Sequence, residues 1–169
     1  MKTKFKYRRD YKLKERGVAA VEFAIVISLL VLITGGIIEF GRVLWYLDAL
    51  TKATRDGARF MSTVPKNTIL SNITAAQNLV VNAANAANVS PVLTGGNVEI
   101  NCTYLDSGGT EGGWGSCHND VPVHLRVAIT SYNVAFGSWF PIPLPAGDWF
   151  LTPHTTMRYM CDAGATTPC

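Results

Sequence analysis

Charge is what one long stretch near the start of this chain lacks. Between Val18 and Ile38 the one ionisable side chain is Glu22, and Phe23 to Ile38 is sixteen residues without a charge. Such a stretch matches a hydrocarbon core of about 30 Å, which about 20 helical residues cross. Proline is absent before Pro65, so nothing of that kind breaks a helix there. Cysteine is absent before Cys102. No Cys-x-x-Cys pair, Gly-x-Ser-x-Gly, His-Glu-x-x-His or Gly-x-x-x-x-Gly-Lys-Ser/Thr occurs, which argues against the common hydrolase, metalloprotease and phosphate-loop chemistries. The chain is expected not to be an enzyme and to need no cofactor or metal.

Positive charge is equally uneven. Residues 1–17 hold eight Lys or Arg against Asp10 and Glu15, so this leader stands at +6 within a chain of net +3, and the remainder is at −3. The basicity is therefore a topology signal and no mark of nucleic-acid binding. By the positive-inside rule the N-terminus stays cytoplasmic and everything past the span is exported. A secretory signal would be cut beyond its apolar run after an A-x-A-like site. The distal end here, Thr34-Gly35-Gly36-Ile37-Ile38-Glu39-Phe40, has no such site.

Glu22 is the anomaly of the anchor. A carboxylate at the centre of a bilayer helix costs about 2.5–3.5 kcal/mol on insertion scales, and such groups are functional suspects. It either snorkels to water or pairs with Arg16, or it meets a cation on another chain.

Several separated motifs now carry a family resemblance. Gly17-Val18-Ala19-Ala20-Val21-Glu22-Phe23, then Gly36-Ile37-Ile38-Glu39-Phe40-Gly41-Arg42, then Ala53-Thr54-Arg55-Asp56-Gly57-Ala58-Arg59 follow one another in order. Over about residues 16–60 the chain resembles TadE-like pseudopilins of the tight-adherence (Flp, type IVc) pilus system. The resemblance implies cleavage by a prepilin peptidase between Gly17 and Val18, leaving Glu22 at the fifth mature position. It further implies a charge pair between Glu22 and the new ammonium of Val18 on a neighbouring subunit. Implied partners are the peptidase, other pilin and pseudopilin subunits, the inner-membrane assembly platform and membrane lipid. The implied place is the bacterial inner membrane with a periplasmic head, or outside the cell in the pilus. Ser28 stands near where many members have proline. Thr34-Gly35-Gly36 then supplies either a soft spot in the helix or a site of close packing. The alternative function is an uncleaved, signal-anchored periplasmic binding or interaction protein.

Three segments are expected: a leader (1–17), a membrane and pilin-like helix (18–62) and an exported head (63–169). Phe40, Val43, Leu44, Leu47, Leu50, Thr54, Ala58 and Met61 keep helical spacing past the span. Glu39 with Arg42, Asp48 with Lys52 and Lys52 with Asp56 sit three or four apart. Val64-Pro65 ends the helix. Ser71 to Asn88 reads as a second helix with Ile73, Ala76, Gln77, Val80, Ala83, Ala84 and Ala87 on one face. Val121 to Thr130 alternates with period two, as do the rows Val98-Ile100-Cys102-Tyr104 and Thr155-Met157-Tyr159-Cys161. The fold class is therefore α+β, with a small, mainly antiparallel sheet in the head. Asp106 to Gly115 is too rich in glycine, and Ser138 to Pro145 too rich in proline, for a regular element. Trp139, Phe140, Trp149 and Phe150 concentrate aromatic surface that either fills the core, the favoured use, or forms a partner-binding patch. The four cysteines fall in the exported part, where disulfides are expected. Short loop closure favours Cys102–Cys117 and Cys161–Cys169 among three possible connectivities. The rival is a zinc site with His118, His124 and His154, which the spacing disfavours.

Overall fold

A computed structural model of the chain describes residues 4–135 and 149–160, with the side chains of 4–16 and of Trp149 outside that description. A single helix, α1, runs Lys4–Ser62. It starts well before Val18 because Lys, Arg, Glu, Tyr and Leu of the leader are ordinary helix formers with no glycine or proline among residues 4–16. It stops where Val64 precedes Pro65, which disfavours α geometry. A 3-10 turn at Lys66–Thr68 leads into helix α2, Ile69–Ala86. This helix begins two residues ahead of the expected start, with Ser71 Oγ and Asn72 Nδ2 donating back to the Thr68 carbonyl. It ends before Asn88, whose φ of 54° is the left-handed conformation that closes helices.

Among the described residues six strands follow: β1 Val98–Thr103, β2 Gly115–Ser116, β3 His124–Ile129, β4 Tyr132–Val134, β5 Trp149–Leu151 and β6 His154–Arg158. Four form an antiparallel sheet in the order β2-β1-β3-β6, and β4 pairs separately with β5. The fold is α+β, as the pattern of helices and alternating strands implied. Strand β3 is shorter than its alternating stretch because Pro122 has no N–H to give a ladder. Gly115 belongs to a strand after all, facing Cys102 across the β1–β2 pair, and Leu105 bridges Glu111 within the same glycine-rich segment. Trp139 and Phe140 lie outside the described residues. Phe150, expected in the core, is 62% exposed.

By its internal contacts the chain forms two compact units, divided within α1 at Gly41–Arg42. In the first, every residue from Val18 to Thr34 is exposed, Phe23 at 66%. The hydroxyls of Ser28 and Thr34 donate to the carbonyls of Ile25 and Leu30, both at 2.8 Å, so neither needs water.

In the second unit α1 buries Val43, Tyr46, Leu50, Ala53, Thr54, Gly57, Ala58 and Met61. Val43, Leu50, Thr54, Ala58 and Met61 are buried as their spacing implies, but Phe40, Leu44 and Leu47 of the expected face are exposed, and Tyr46, Ala53 and Gly57 line the inner side instead. The reason is close approach. A Cβ on Gly57 would sit 2.4 Å from Val80 Cγ2 of α2, so α1 presents its smallest side chains there and leaves the larger ones outside. Ile69, Ala76, Val80 and Ala84 of α2 join the same core, with Val98, Ile100, Leu125, Val127 and Ile129 from one sheet face. The rim is fastened by hydrogen bonds. Thr54 and Thr155 share one at 3.0 Å, Tyr159 Oη donates to the Val64 carbonyl at 2.6 Å, and Gln77 Nε2 donates to the Val98 carbonyl at 3.0 Å.

Candidate functional site: the N-terminal helix and the base of its head

Gly17, Val18 and Glu22 all lie on the exposed surface of α1. At Gly17 an added Cβ would meet nothing within 4 Å. Among the residues whose side chains are described, none pairs with Glu22. The helix thus brings Gly17, Val18 and Glu22 onto one short exposed stretch, two turns long. Around and beyond them, the surface is apolar through Ile38, the composition of a helix that meets lipid or other helices and not water. The segment Gly17–Ser62 is long and apolar enough to cross a membrane.

The motif at 53–59 has a structural meaning that spacing alone did not give. Ala53, Thr54, Gly57 and Ala58 form the buried groove into which α2 and the sheet pack, while Arg55, Asp56 and Arg59 are exposed. Arg42, at the other end of this helical stretch, ties α1 to the chain after β4. Its Nη2 donates to the Ala135 carbonyl at 2.8 Å, and its guanidinium lies 5.6 Å from the Tyr46 ring centre. Tyr132 is buried beside this pair. Desolvation and the neighbouring Tyr46 push its hydroxyl up to about 12, against the opposing Arg42 charge, so it remains a donor, bonded to the Pro91 carbonyl at 2.6 Å. Trp45 Nε1 donates to the Ala87 carbonyl at 3.2 Å. Of the expected helix pairs, Asp48 and Lys52 meet at 2.6 Å on an exposed face, worth about 0.3–0.5 kcal/mol.

Residues 17–59 match the family model of TadE-like proteins. That is the family to which the Gly17 and Gly57 motifs pointed. No curated protein and no solved structure matches the chain. The TadE-like segment begins at the Gly17–Val18 junction and ends three residues short of the end of α1, so the likeness takes in the part of α1 that packs into the core of the head and leaves α2 and the sheet outside it. A TadE-like helix implies a part in the tight-adherence pilus system, and its apolar first half suggests a membrane anchor.

In the head, Cys102 and Cys117 are bonded, with Cα atoms 4.9 Å apart and a sequence separation of 15. Cys161 and Cys169 lie outside the described residues. Closing a loop of that size is worth about 3 kcal/mol in the chain-entropy picture. The loop is fastened a second time by a contact that no periodicity announced. Thr103 Oγ1 donates to Glu111 Oε1, and His124 Nδ1 stands 2.7 Å from the same oxygen. The hydrogen bond from Thr103, and then that from His124, hold the Glu111 carboxyl below its ordinary range. Tyr104 stacks on His118 at 3.6 Å between ring centres, and burial raises its hydroxyl. Among the described residues no three His, Cys, Asp or Glu side chains are grouped to hold a metal.

Proposed function

We propose that the chain is a minor pilin or pseudopilin subunit of a tight-adherence pilus, cut after Gly17 by a prepilin peptidase. Cleavage removes the +6 leader that holds the N-terminus at the cytoplasmic face, and it creates an ammonium at Val18. That cation pairs with Glu22 of a neighbouring subunit. In a low-dielectric surrounding such a pair favours assembly chiefly because leaving one charge buried and alone is so unfavourable. The observation that carries this reading is the reach of the family match, which opens on the Gly17–Val18 junction and takes in Glu22 together with both downstream motifs. The exposed apolar surface of α1 from Val18 to Ile38 supports it, since that surface needs lipid before assembly and helix neighbours after it.

The test is the N-terminus of the membrane-bound protein in cells with active prepilin peptidase. A chain beginning at Val18 is expected; an intact Met1 would overturn the reading. In the same cells Glu22→Val should leave insertion and cleavage intact while the subunit disappears from sheared pili. Normal incorporation of that variant would refute the charge pair.

A further inference from the structure

Helix α1 enters the head at Arg42 and ends at Ser62, which gives the head two ends. Hydrogen bonds define the first. Arg42 Nη2 donates to the Ala135 carbonyl, Trp45 Nε1 to the Ala87 carbonyl and Tyr132 Oη to the Pro91 carbonyl. The loop after α2 and the β4–β5 pair are thereby fastened beside the opening turns of α1 in the head. The second end is marked by the N–H of Met160 on the Ser62 carbonyl, that of Tyr159 on the Val123 carbonyl and that of Val123 on the Thr103 carbonyl. Leu105, two residues past Thr103, belongs to it.

The first end exposes a large apolar side chain from each of three elements. Trp45 of α1 is 61% exposed, Val92 of the loop 68% and Phe150 of β5 62%. Phe150 stands opposite Asn133 across the β4–β5 pair, and Tyr132 and Val134 on either side of Asn133 are buried, so Phe150 lies on the outer side of that pair. Taking these side chains out of water strands little. The Trp45 indole N–H is already engaged by Ala87, and no residue between Lys66 and Glu99 is ionisable, so the loop brings no charge to desolvate. What lies beside this end follows from chain length. The apolar stretch of α1 closes at Ile38, and Trp45 follows it by about 10 Å of helix. A headgroup layer extends about 5–8 Å past the hydrocarbon on each side of a bilayer, and aromatic side chains on a helix lean back toward its N-terminus. Trp45 thus reaches headgroup level, where tryptophan and tyrosine collect.

The structure assigns to this end of the head a lipid-docking surface, in which Trp45, Val92 and Phe150 enter the interfacial layer of the same bilayer that α1 crosses. The head then rests on the membrane at three points and does not stand off it on the helix alone. Exposed apolar side chains gathered on one side of a folded unit call for cover, and here the bilayer is the nearest apolar phase, because the chain enters the head four residues past Ile38. A separate protein partner would have to occupy space that headgroups already fill. The proposal rests on α1 being a membrane anchor, and on neither cleavage at Gly17 nor assembly into a pilus.

The test places the photo-reactive p-benzoylphenylalanine, one position at a time, at Leu30, Val92, Phe150, Leu105 and Met160 of the full-length chain in liposomes of phosphatidylethanolamine and phosphatidylglycerol. All five side chains are exposed, so the probe leaves the core alone, and near-ultraviolet circular dichroism verifies each fold. Mass spectrometry after irradiation counts lipid adducts. Leu30, inside the apolar stretch, should give them in high yield. At Val92 and Phe150 the yield should exceed that at Leu105 and Met160, on the far end of the head, by about tenfold, as interfacial depth requires. Background yield at Leu30 would overturn the anchor and the docking with it. High yield at Leu30 with background at Val92 and Phe150 would overturn the docking and leave the anchor standing. Equal yields at all four head positions would mean that no end of the head prefers lipid, and would also overturn it. Adducts from Val92 or Phe150 to a second copy of the chain in place of lipid would overturn the bilayer in favour of a neighbouring subunit.

Discussion

From Val18 to Ile38 only Gly35 of α1 is buried, whereas from Val43 to Ser62 nine positions are, all on one side. One uninterrupted helix therefore carries two kinds of surface. In the first, apolar side chains point in every direction, which suits surroundings that are themselves apolar. In the second, the inward stripe combines large and small residues, and the outward side holds Asp48, Lys52, Arg55, Asp56 and Arg59. A helix can thus be anchor and core at once, provided the pattern of its side chains changes while its backbone does not. The TadE-like match, residues 17–59, takes in both stretches.

The comparison breaks most sharply at leucine. Leu50 is fully buried and Leu30 is 63% exposed. Leu50→Ala should destabilise the head by about 2–5 kcal/mol through lost burial and the cavity left behind. Leu30→Ala should leave the head unfolding transition unmoved. Urea titration of the detergent-solubilised full chain, followed by near-ultraviolet circular dichroism, reads both. Equal effects would mean that the two halves of α1 do not differ as described.

Glycine sharpens it next. Gly36 and Gly57 occupy the interior of the same helix, yet an added Cβ at Gly36 meets nothing within 4 Å while at Gly57 it meets Val80 Cγ2 at 2.4 Å. Alanine favours a helix over glycine by about 1 kcal/mol. Gly36→Ala should therefore stiffen α1 without a change in the head. Gly57→Ala should destabilise the head by about 1–3 kcal/mol, because valine has little rotamer freedom with which to yield. Pairing Gly57→Ala with Val80→Ala should restore part of the loss, a coupling that a double-mutant cycle measures.

How much of this was legible follows from period and length. The anchor, α2 and the inward rows of β1 and β3 could be read from residues repeating every 3.6 or every two positions. On the face of α1 past Gly41, Val43, Leu50, Thr54, Ala58 and Met61 are buried as their spacing implies, whereas Leu44 and Leu47, larger apolar residues, are exposed and close approach places Ala53 and Gly57 inside. Glycine in mid-helix was the available signal, since it weakens a helix unless something needs the space. The β4–β5 pair escaped notice because Tyr132–Val134 and Trp149–Leu151 offer three residues each, too few to display alternation. The meeting of Glu111 with His124 depends on how a glycine-rich loop folds back, and no local pattern encodes that.

That loop provides the mildest contrast, between a fastening that ignores pH and one that obeys it. The Cys102–Cys117 bond does not titrate. The Glu111 carboxyl does, and the hydrogen bonds from Thr103 and His124 hold its folded-state pKa below the unfolded value. Its contribution is therefore present above the ordinary carboxylate range and disappears as pH falls through the lowered folded value. On acidification, backbone amide signals from Leu105 to Gly113 should shift and exchange faster before the helices lose theirs. In Glu111→Gln that early acid step should vanish, with the loop already loosened at neutral pH. Hydrogen exchange on the full chain between pH 7 and pH 3 distinguishes the two. If the step persists in Glu111→Gln, the acid sensitivity belongs to another group and the Glu111 fastening is not its source.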